Sequence, residues 1–341
     1  MTFRSRAPLR LGLAGGASDV SPYCDQFGGN VLNATIDLYA YCHLEPRNDG
    51  QIEFEAIDRG EIFSGPATGE LGLNGELSLH RSVYNRVVHD FNDGKPLSLR
   101  LRTHSDAPMG SGLGASSTMV VAMLAAYAEW LKLPLGDYDI AQLAFQIERV
   151  DLGLAGGRQD QYAATFGGFN FIEFYGDNRV VVNPLRIKAR VRQELETSMV
   201  LYYTGLSRQS ANVIEDQINR VNRHDDQAIA ATHELKKDAV LMKEAILKDN
   251  ILEVARVLGR SWEAKKKIAS LISNRAIDSV YEKALDAGAY SGKISGAGGG
   301  GFIIFMVDPT QKFQLCQALN CSPGRTFSFH FTEEGVHAWK A

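Results

Sequence analysis

The order of apolar and polar positions divides the chain into mixed strands and helices. Residues 9–14 form a short apolar run ending in Gly15-Gly16, which predicts a strand entering a tight turn. Residues 31–44 are rich in β-branched and aromatic side chains and predict a long strand, with alternating residues 52–57 as its partner. Val83, Val87, Val88 and Phe91 share one side of a predicted helix at 79–91. Residues 97–103 alternate as a half-buried strand. Helices follow at 116–131 and 140–150, then a strand at 169–175. The second half opens with a strand at 198–204 and continues through a helix-rich stretch, 209–287, that lacks proline. A buried strand at 302–307, a helix at about 309–319 and a strand at 326–331 close the pattern.

At 341 residues the chain exceeds the usual reach of one core. The expected units are 1–190 and 191–341, divided near Pro184 and the charged stretch 188–196. A net charge of −4 offers no basic surface to nucleic acid. Any phosphate site must then rely on backbone NH groups and a few local cations. Cys24, Cys42, Cys316 and Cys321 lack metal or CxxC spacing, so free thiols in a reducing compartment are expected. The first residues carry no apolar leader. The longest apolar stretch, 119–133, reads as amphipathic and carries Glu129 and Lys132, which argues against a membrane span. A soluble, cytoplasmic protein is expected. The run Lys265-Lys266-Lys267 reads as a solvated helix face, and Trp130, Trp262 and Trp339 as packing residues.

One segment changes this picture. Strand 97–103 runs into Pro108-Met109-Gly110-Ser111-Gly112-Leu113-Gly114-Ala115-Ser116-Ser117 and then a helix. A helix N-terminus presents unpaired NH groups and partial positive charge, which suits an anion. Glycines let backbone approach phosphate oxygens, while Ser116 and Ser117 can cap the helix or reach a phosphate or metal. No Gly-Lys-Ser/Thr follows, so this is not a Walker loop. A loose dinucleotide fingerprint and a plain capped glycine turn stay open on the residues alone.

The loop resembles the central motif of the GHMP kinases, Pro-x-x-x-Gly-Leu-Gly/Ser-Ser-Ser. Ala7-Pro8-Leu9-Arg10 through Asp19 resembles that family's N-terminal sugar-kinase signature, and Lys293 to Phe302 its C-terminal glycine motif. The three stand in the family's order across nearly the whole chain. The resemblance implies a two-domain α+β fold, with an N-terminal nucleotide-binding α/β domain and a C-terminal ferredoxin-like domain. It also implies ATP and Mg2+ as cofactors. Gly16-Ala17 replaces the Glu-His of galactokinases. With Tyr23-Cys24-Asp25 and Asn33-Ala34-Thr35-Ile36, this variant resembles the bacterial heptose 7-phosphate kinase branch. That branch phosphorylates the anomeric hydroxyl of a sugar already phosphorylated at its far end.

The resemblance assigns Asp160, in Gly156-Gly157-Arg158-Gln159-Asp160-Gln161, to proton acceptance from the attacking hydroxyl. The plain alternative is a helix N-cap. Arg10 matches the signature arginine, which would lower the hydroxyl pKa and neutralise developing charge; a strand-edge ion pair is its alternative. Pro108 and Gly110 through Ser117 would hold ATP. Ser116 and Glu148 match the family's metal ligands, against an exposed helix glutamate in the second case. Gly16, Ala17, Ser18 and Asp19 would contact the sugar, with Gly298 and Gly299 approaching through backbone; a turn aspartate is the alternative for Asp19. Arg208, Arg158 and Lys293 are candidates for the distal phosphate. The expected partners are ATP and a sugar phosphate, without nucleic acid or membrane, and a homodimer stays open. Competing functions are a kinase for an unphosphorylated sugar of the fucose or galactose type, a non-catalytic ligand-binding regulator, and a decarboxylase of the mevalonate branch.

Overall fold

The computed structural model describes residues 1–205 and 210–341. The first sheet is built from β1 (Phe3–Ala14), β2 (Gly29–Pro46), β3 (Gln51–Ala56), β4 (Glu61–Pro66), β5 (Leu99–Ser105), β6 (Phe169–Phe174) and β7 (Val180–Pro184). The long β2 serves two neighbours on one side. Its first part pairs with β6, from Gly29↔Phe174 to Ala34↔Phe169, and its second with β5, from Ala40↔Ser105 to Pro46↔Leu99. β1 runs antiparallel along its other side. β5 separates β2 from β3, to which it is parallel. Strand β3 is therefore not the partner of β2 that its alternation suggested; its neighbours are β4 and β5.

The second sheet contains β8 (Met199–Tyr203), β9 (Ala289–Ile294), β10 (Phe302–Val307) and β11 (Arg325–Phe327), in the order β11-β8-β10-β9 with antiparallel neighbours. That is the ferredoxin-like arrangement. Strand β12 (His337–Lys340) then returns to pair with the start of β1.

Helices α1 (Tyr23–Phe27), α2 (Ser78–Phe91), α3 (Ala115–Leu131), α4 (Asp137–Gln146) and α5 (Gln159–Phe166) belong to the first part. Helix α6 (Ala189–Ser198) spans the expected division at 190/191. Helices α7 (Ser210–Asn222), α8 (Asp226–Leu247), α9 (Ile251–Lys266) and α10 (Arg275–Asp286) fill the connection from β8 to β9, and α11 (Lys312–Asn320) links β10 to β11. Helix α3 is not amphipathic as read. Every residue from Ser117 to Tyr127 is buried, because β1, β2 and β12 pack on one side and α2, α4 and α5 on others. Glu129 and Lys132 mark only its emerging end. Among the described residues no helix is long and apolar enough to cross a membrane, and all four cysteines are free.

One core joins the two sheets. Leu9, Leu11 and Leu13 of β1 meet Met242 of α8, Leu258 of α9 and Phe302 of β10. At the edge of this core the loop before α3 docks on the loop between β9 and β10. Phe302 N donates to Ser111 O at 2.8 Å. Gly112 has φ +83, and a Cβ there would run into the Ser295 carbonyl oxygen. Gly112→Ala should therefore lose at least about 1–2 kcal/mol from the left-handed backbone alone, with a lowered urea midpoint. An unchanged midpoint would show that the two loops are not pressed together.

Candidate active site

Residues 7–14 of β1 are buried on both faces. Leu9, Leu11 and Leu13 enter the core, so alternation turns Arg10 and Gly12 toward the opposite side. Arg10 is 3% exposed. Its Nε donates to Asp160 Oδ1 at 2.7 Å, and its Nη2 lies 2.6 Å from the same oxygen. Its Nη1 donates to Gly112 O at 2.7 Å and Ser295 Oγ at 3.2 Å. Ser295 Oγ also accepts from Gly12 N. Arg10 thus ties the loop before α3, the loop after β9 and the start of α5 to one guanidinium. Breaking such a buried pair by removing one partner costs roughly 3–5 kcal/mol. Asp160 is the second residue of α5; its N-cap is Arg158. The N-cap alternative for Asp160 therefore fails, and its side chain keeps 22% exposure.

Arg10 and Asp160 stand where two cavities meet, together with Gly157, Ile214, Gly296 and Ala297. One cavity runs along Gly110, Gly112, Gly114 and the first turn of α3. Neither Ser116 nor Ser117 caps that helix. Its N-cap is Gly114, with φ +79 and no side-chain cap, so the leading NH groups stay available to an anion. Not every loop residue faces this cavity. Leu113 is in the core, the Ser111 side chain is fully buried, and Pro108 is exposed outside the lining.

Glu148 lies in a single π turn, Ile147–Asp151, that extends α4; such widened turns re-aim a side chain. It is 1% exposed rather than solvated. Its Oε1 accepts from Ser116 Oγ at 3.1 Å and its Oε2 from Gln161 Nε2 at 2.6 Å. Among the described residues the nearest cation is Arg149 Nη1, at 4.0 Å. A buried carboxylate held by neutral donors lacks close charge compensation. Two hard oxygens, Ser116 Oγ and Glu148 Oε1, therefore fit a divalent cation that keeps most of its own water. Arg149 also lines this cavity and adds positive charge there.

The second cavity is lined by Gly16, Ala17, Asp19, Gln159, Gln217, Lys265 and Lys293 around Arg10 and Asp160. Asp19 accepts from Ala17 N, Arg158 N, Gln159 N and Gln159 Nε2, all within 3.2 Å. It holds the entry to α5 as well as facing the cavity, and a Cβ on Gly157 would overlap its carboxylate. Ser18 does not reach the cavity. Its hydroxyl is engaged by Gly15 O, Asn30 O and Asn30 N. Gly298 and Gly299 also turn away, against Ile272; the cavity is lined instead by Gly296 and Ala297.

The distal-phosphate candidates fare differently. Arg158 Nη2 is bound by Asp25 at 2.8 Å and Ser21 at 3.0 Å, outside the cavity lining. Lys293 lines the cavity, but its Nζ donates to Gly12 O at 2.9 Å and Ile294 O at 3.3 Å. Arg208 lies outside the described residues.

Lys265 corrects the reading of its lysine run. It is 3% exposed, and its Nζ donates to Gly296 O. Burial, then Arg10, push its pKa down to about 8, while Asp19 and Asp160 pull the other way. The signal lay in periodicity: Val254, Leu258, Ser261 and Lys265 share the buried face of α9. Gln159 and Gln217 were also missed. Gln217 Nε2 donates to Ala17 O at 2.9 Å, and the buried Gln159 Oε1 has no partner among the described residues.

The arrangement sets a carboxylate and a guanidinium between an anion-binding helix end and a polar pocket, which is the equipment for in-line phosphoryl transfer. Comparison with known proteins agrees. Family models described as "GHMP kinases N terminal domain" and "GHMP kinases C terminal" match residues 78–168 and 242–325. The D-glycero-alpha-D-manno-heptose 7-phosphate kinase of Campylobacter jejuni is 50% identical over 99% of both chains. A crystal structure described as a D-glycero-D-manno-heptose 1-phosphate kinase from Bacteroides thetaiotaomicron has 48% identity and a TM-score of 0.86, covering 99% of each chain. The L-fucokinase/L-fucose-1-P guanylyltransferase of Bacteroides fragilis is 26% identical over 92% of this chain, which spans 35% of that protein. With its paired motif loops, its two-sheet α+β fold and these relatives, the chain belongs to the GHMP kinase family and is an ATP-dependent phosphotransferase.

Proposed function

We propose that this kinase transfers the γ-phosphoryl group of ATP to the anomeric hydroxyl of D-glycero-D-manno-heptose 7-phosphate, giving the 1,7-bisphosphate and ADP. The observation that carries this reading is the 50% identity to a heptose 7-phosphate kinase along 99% of both chains. The small residues at Gly16 and Ala17, on the wall of the acceptor cavity, support it by leaving room for a long sugar. The product would enter synthesis of nucleotide-activated heptose and surface polysaccharide. ATP and sugar phosphates are cytoplasmic solutes, and we assign the enzyme to that compartment.

The helix end at Gly114–Ser117 holds the nucleotide phosphates through backbone NH groups. Ser116 and Glu148 hold Mg2+, which supplies charge neutralisation on the phosphate oxygens when bound. Asp160 accepts the proton of the attacking hydroxyl. Arg10, fixed on Asp160 Oδ1, orients that carboxylate and faces the charge that develops on the transferring group. Asp19 holds the backbone of Arg158 and Gln159, and so keeps Asp160 in register with the acceptor.

A coupled ADP-release assay should give the highest kcat/KM with the heptose 7-phosphate, ahead of the heptose 1-phosphate, free heptose, fucose and galactose. Equal values for free heptose would contradict the 7-phosphate reading, and preference for the 1-phosphate would move the accepting hydroxyl away from the anomeric carbon. Asp160→Asn keeps an oxygen for Arg10 but loses the charge of the pair, so it should still fold with a lowered melting temperature and lose about 10²–10⁴ in kcat at a temperature where it is folded; near-normal turnover would remove Asp160 from the chemistry. Glu148→Gln should raise the Mg2+ concentration for half-maximal rate by about tenfold or more. An unaltered Mg2+ titration would take Glu148 off the metal.

A further inference from the structure

Lys265 is a buried lysine whose ammonium is only partly engaged. An ammonium has three N–H donors. Gly296 O accepts one of them, and among the described residues the other two meet no acceptor. The side chain lines the acceptor cavity and not the nucleotide cavity. Its neighbours differ. Arg10 is engaged by Asp160, Gly112 and Ser295, and Lys293 by Gly12 and Ile294. Burying a cation with idle donors is unfavourable, so an acceptor group from a ligand would relieve it.

We propose that Lys265 binds the acceptor directly, donating to sugar oxygens beside the attacking hydroxyl, and thereby sets acceptor affinity. The inference rests on the assignment of this cavity to the acceptor. Its carbonyl partner, Gly296, belongs to the wall shared by both cavities, with Arg10 and Asp160. That places the ammonium near the transferring oxygen rather than at the far end of the sugar, where the distal phosphate lies.

Among the described residues the charged groups around Lys265 are Arg10 on β1, Asp19 on the turn after it, Asp160 on α5 and Lys293 on β9. Against the lysine value of 10.5, burial and Arg10 lower its pKa to about 8. The binding form is the ammonium, so kcat/KM for the acceptor should fall as pH rises through about 8. The sign for stability is opposite. The unfolded chain holds this proton more tightly, so stability rises with pH between about 8 and 10.5.

The test uses Lys265→Met and Lys265→Gln in the full chain, with the sugar that the wild type phosphorylates fastest. A wrong choice of sugar in the functional proposal therefore leaves this test intact. Lys265→Met should lower kcat/KM for the acceptor by about ten- to a hundredfold, the range for a charged hydrogen bond. KM for ATP should stay within about twofold, which also reports a folded nucleotide site. Lys265→Gln keeps a donor and should fall between Lys265→Met and wild type. Both variants should lose the decline near pH 8. The second phosphate ionisation of a sugar phosphate lies near pH 6, so it does not account for that decline. Three results would overturn the proposal: an unchanged acceptor KM and pH profile, an equal loss of ATP affinity, or a loss confined to phosphorylated acceptors.

Discussion

Two glycine loops pressed backbone to backbone hold the active centre together. The carbonyl of Ser111 accepts from Phe302 N. A Cβ added to Gly296 would lie 2.6 Å from Gly112 Cα, and one added to Gly301 would run into Ser111 O. No side chain fits between them. That closeness brings Gly112 O and Ser295 Oγ within reach of one guanidinium, and Arg10 carries the geometry on to Asp160. The loop before α3, the C-terminal glycine loop and the Asp160 carboxylate are thus parts of one object. Nearly two hundred residues separate the loops along the chain, which is why the two sheets must share a core.

This explains what was legible in the sequence. Glycine is required where backbones touch or φ is positive, so the loops at 108–117 and 293–302 stood out as letters. Arg10 and Asp160 could be picked out because they sit inside such motifs. A motif does not say which way each side chain turns. Ser18 closes its own turn, and Gly298 and Gly299 pack on Ile272, although all three sit in recognisable stretches. Strand pairing was also opaque. Nothing local in 52–57 says that β5 will lie between it and β2, because that order follows from the whole chain. Strands β4, β7 and β12 are short and lie at the edges of the sheet, and even the three valines that open β7 are too brief a run to mark a strand by themselves. The Lys265 run was misread for a different reason. Composition suggested solvent, while the helical period of α9 had already turned that one position inward.

Charge shows the same contrast between bulk and place. The chain carries a net charge of −4, yet Arg10, Lys265 and Lys293 converge on one cavity and Arg149 on its neighbour. Asp160 and Asp19 face these cations, but each is engaged by N–H donors of the protein. Incoming phosphate and sugar oxygens would meet donors already fixed in place, with little reorganisation left to the moment of reaction. Glu148 is the exception, a buried carboxylate among neutral donors, and that imbalance is what suits it to a cation.

The central claim is that Arg10 and Asp160 mark the point where phosphoryl donor and acceptor meet. The most direct measurement is a crystal structure with a non-hydrolysable ATP analogue, Mg2+ and heptose 7-phosphate bound together. The account predicts the β- and γ-phosphates on the NH groups of residues 110–117, and the anomeric oxygen within hydrogen-bond reach of Asp160, in line with the γ-phosphorus. A sugar whose nearest hydroxyl lies beyond reach of Asp160, or a nucleotide seated away from that loop, would contradict it.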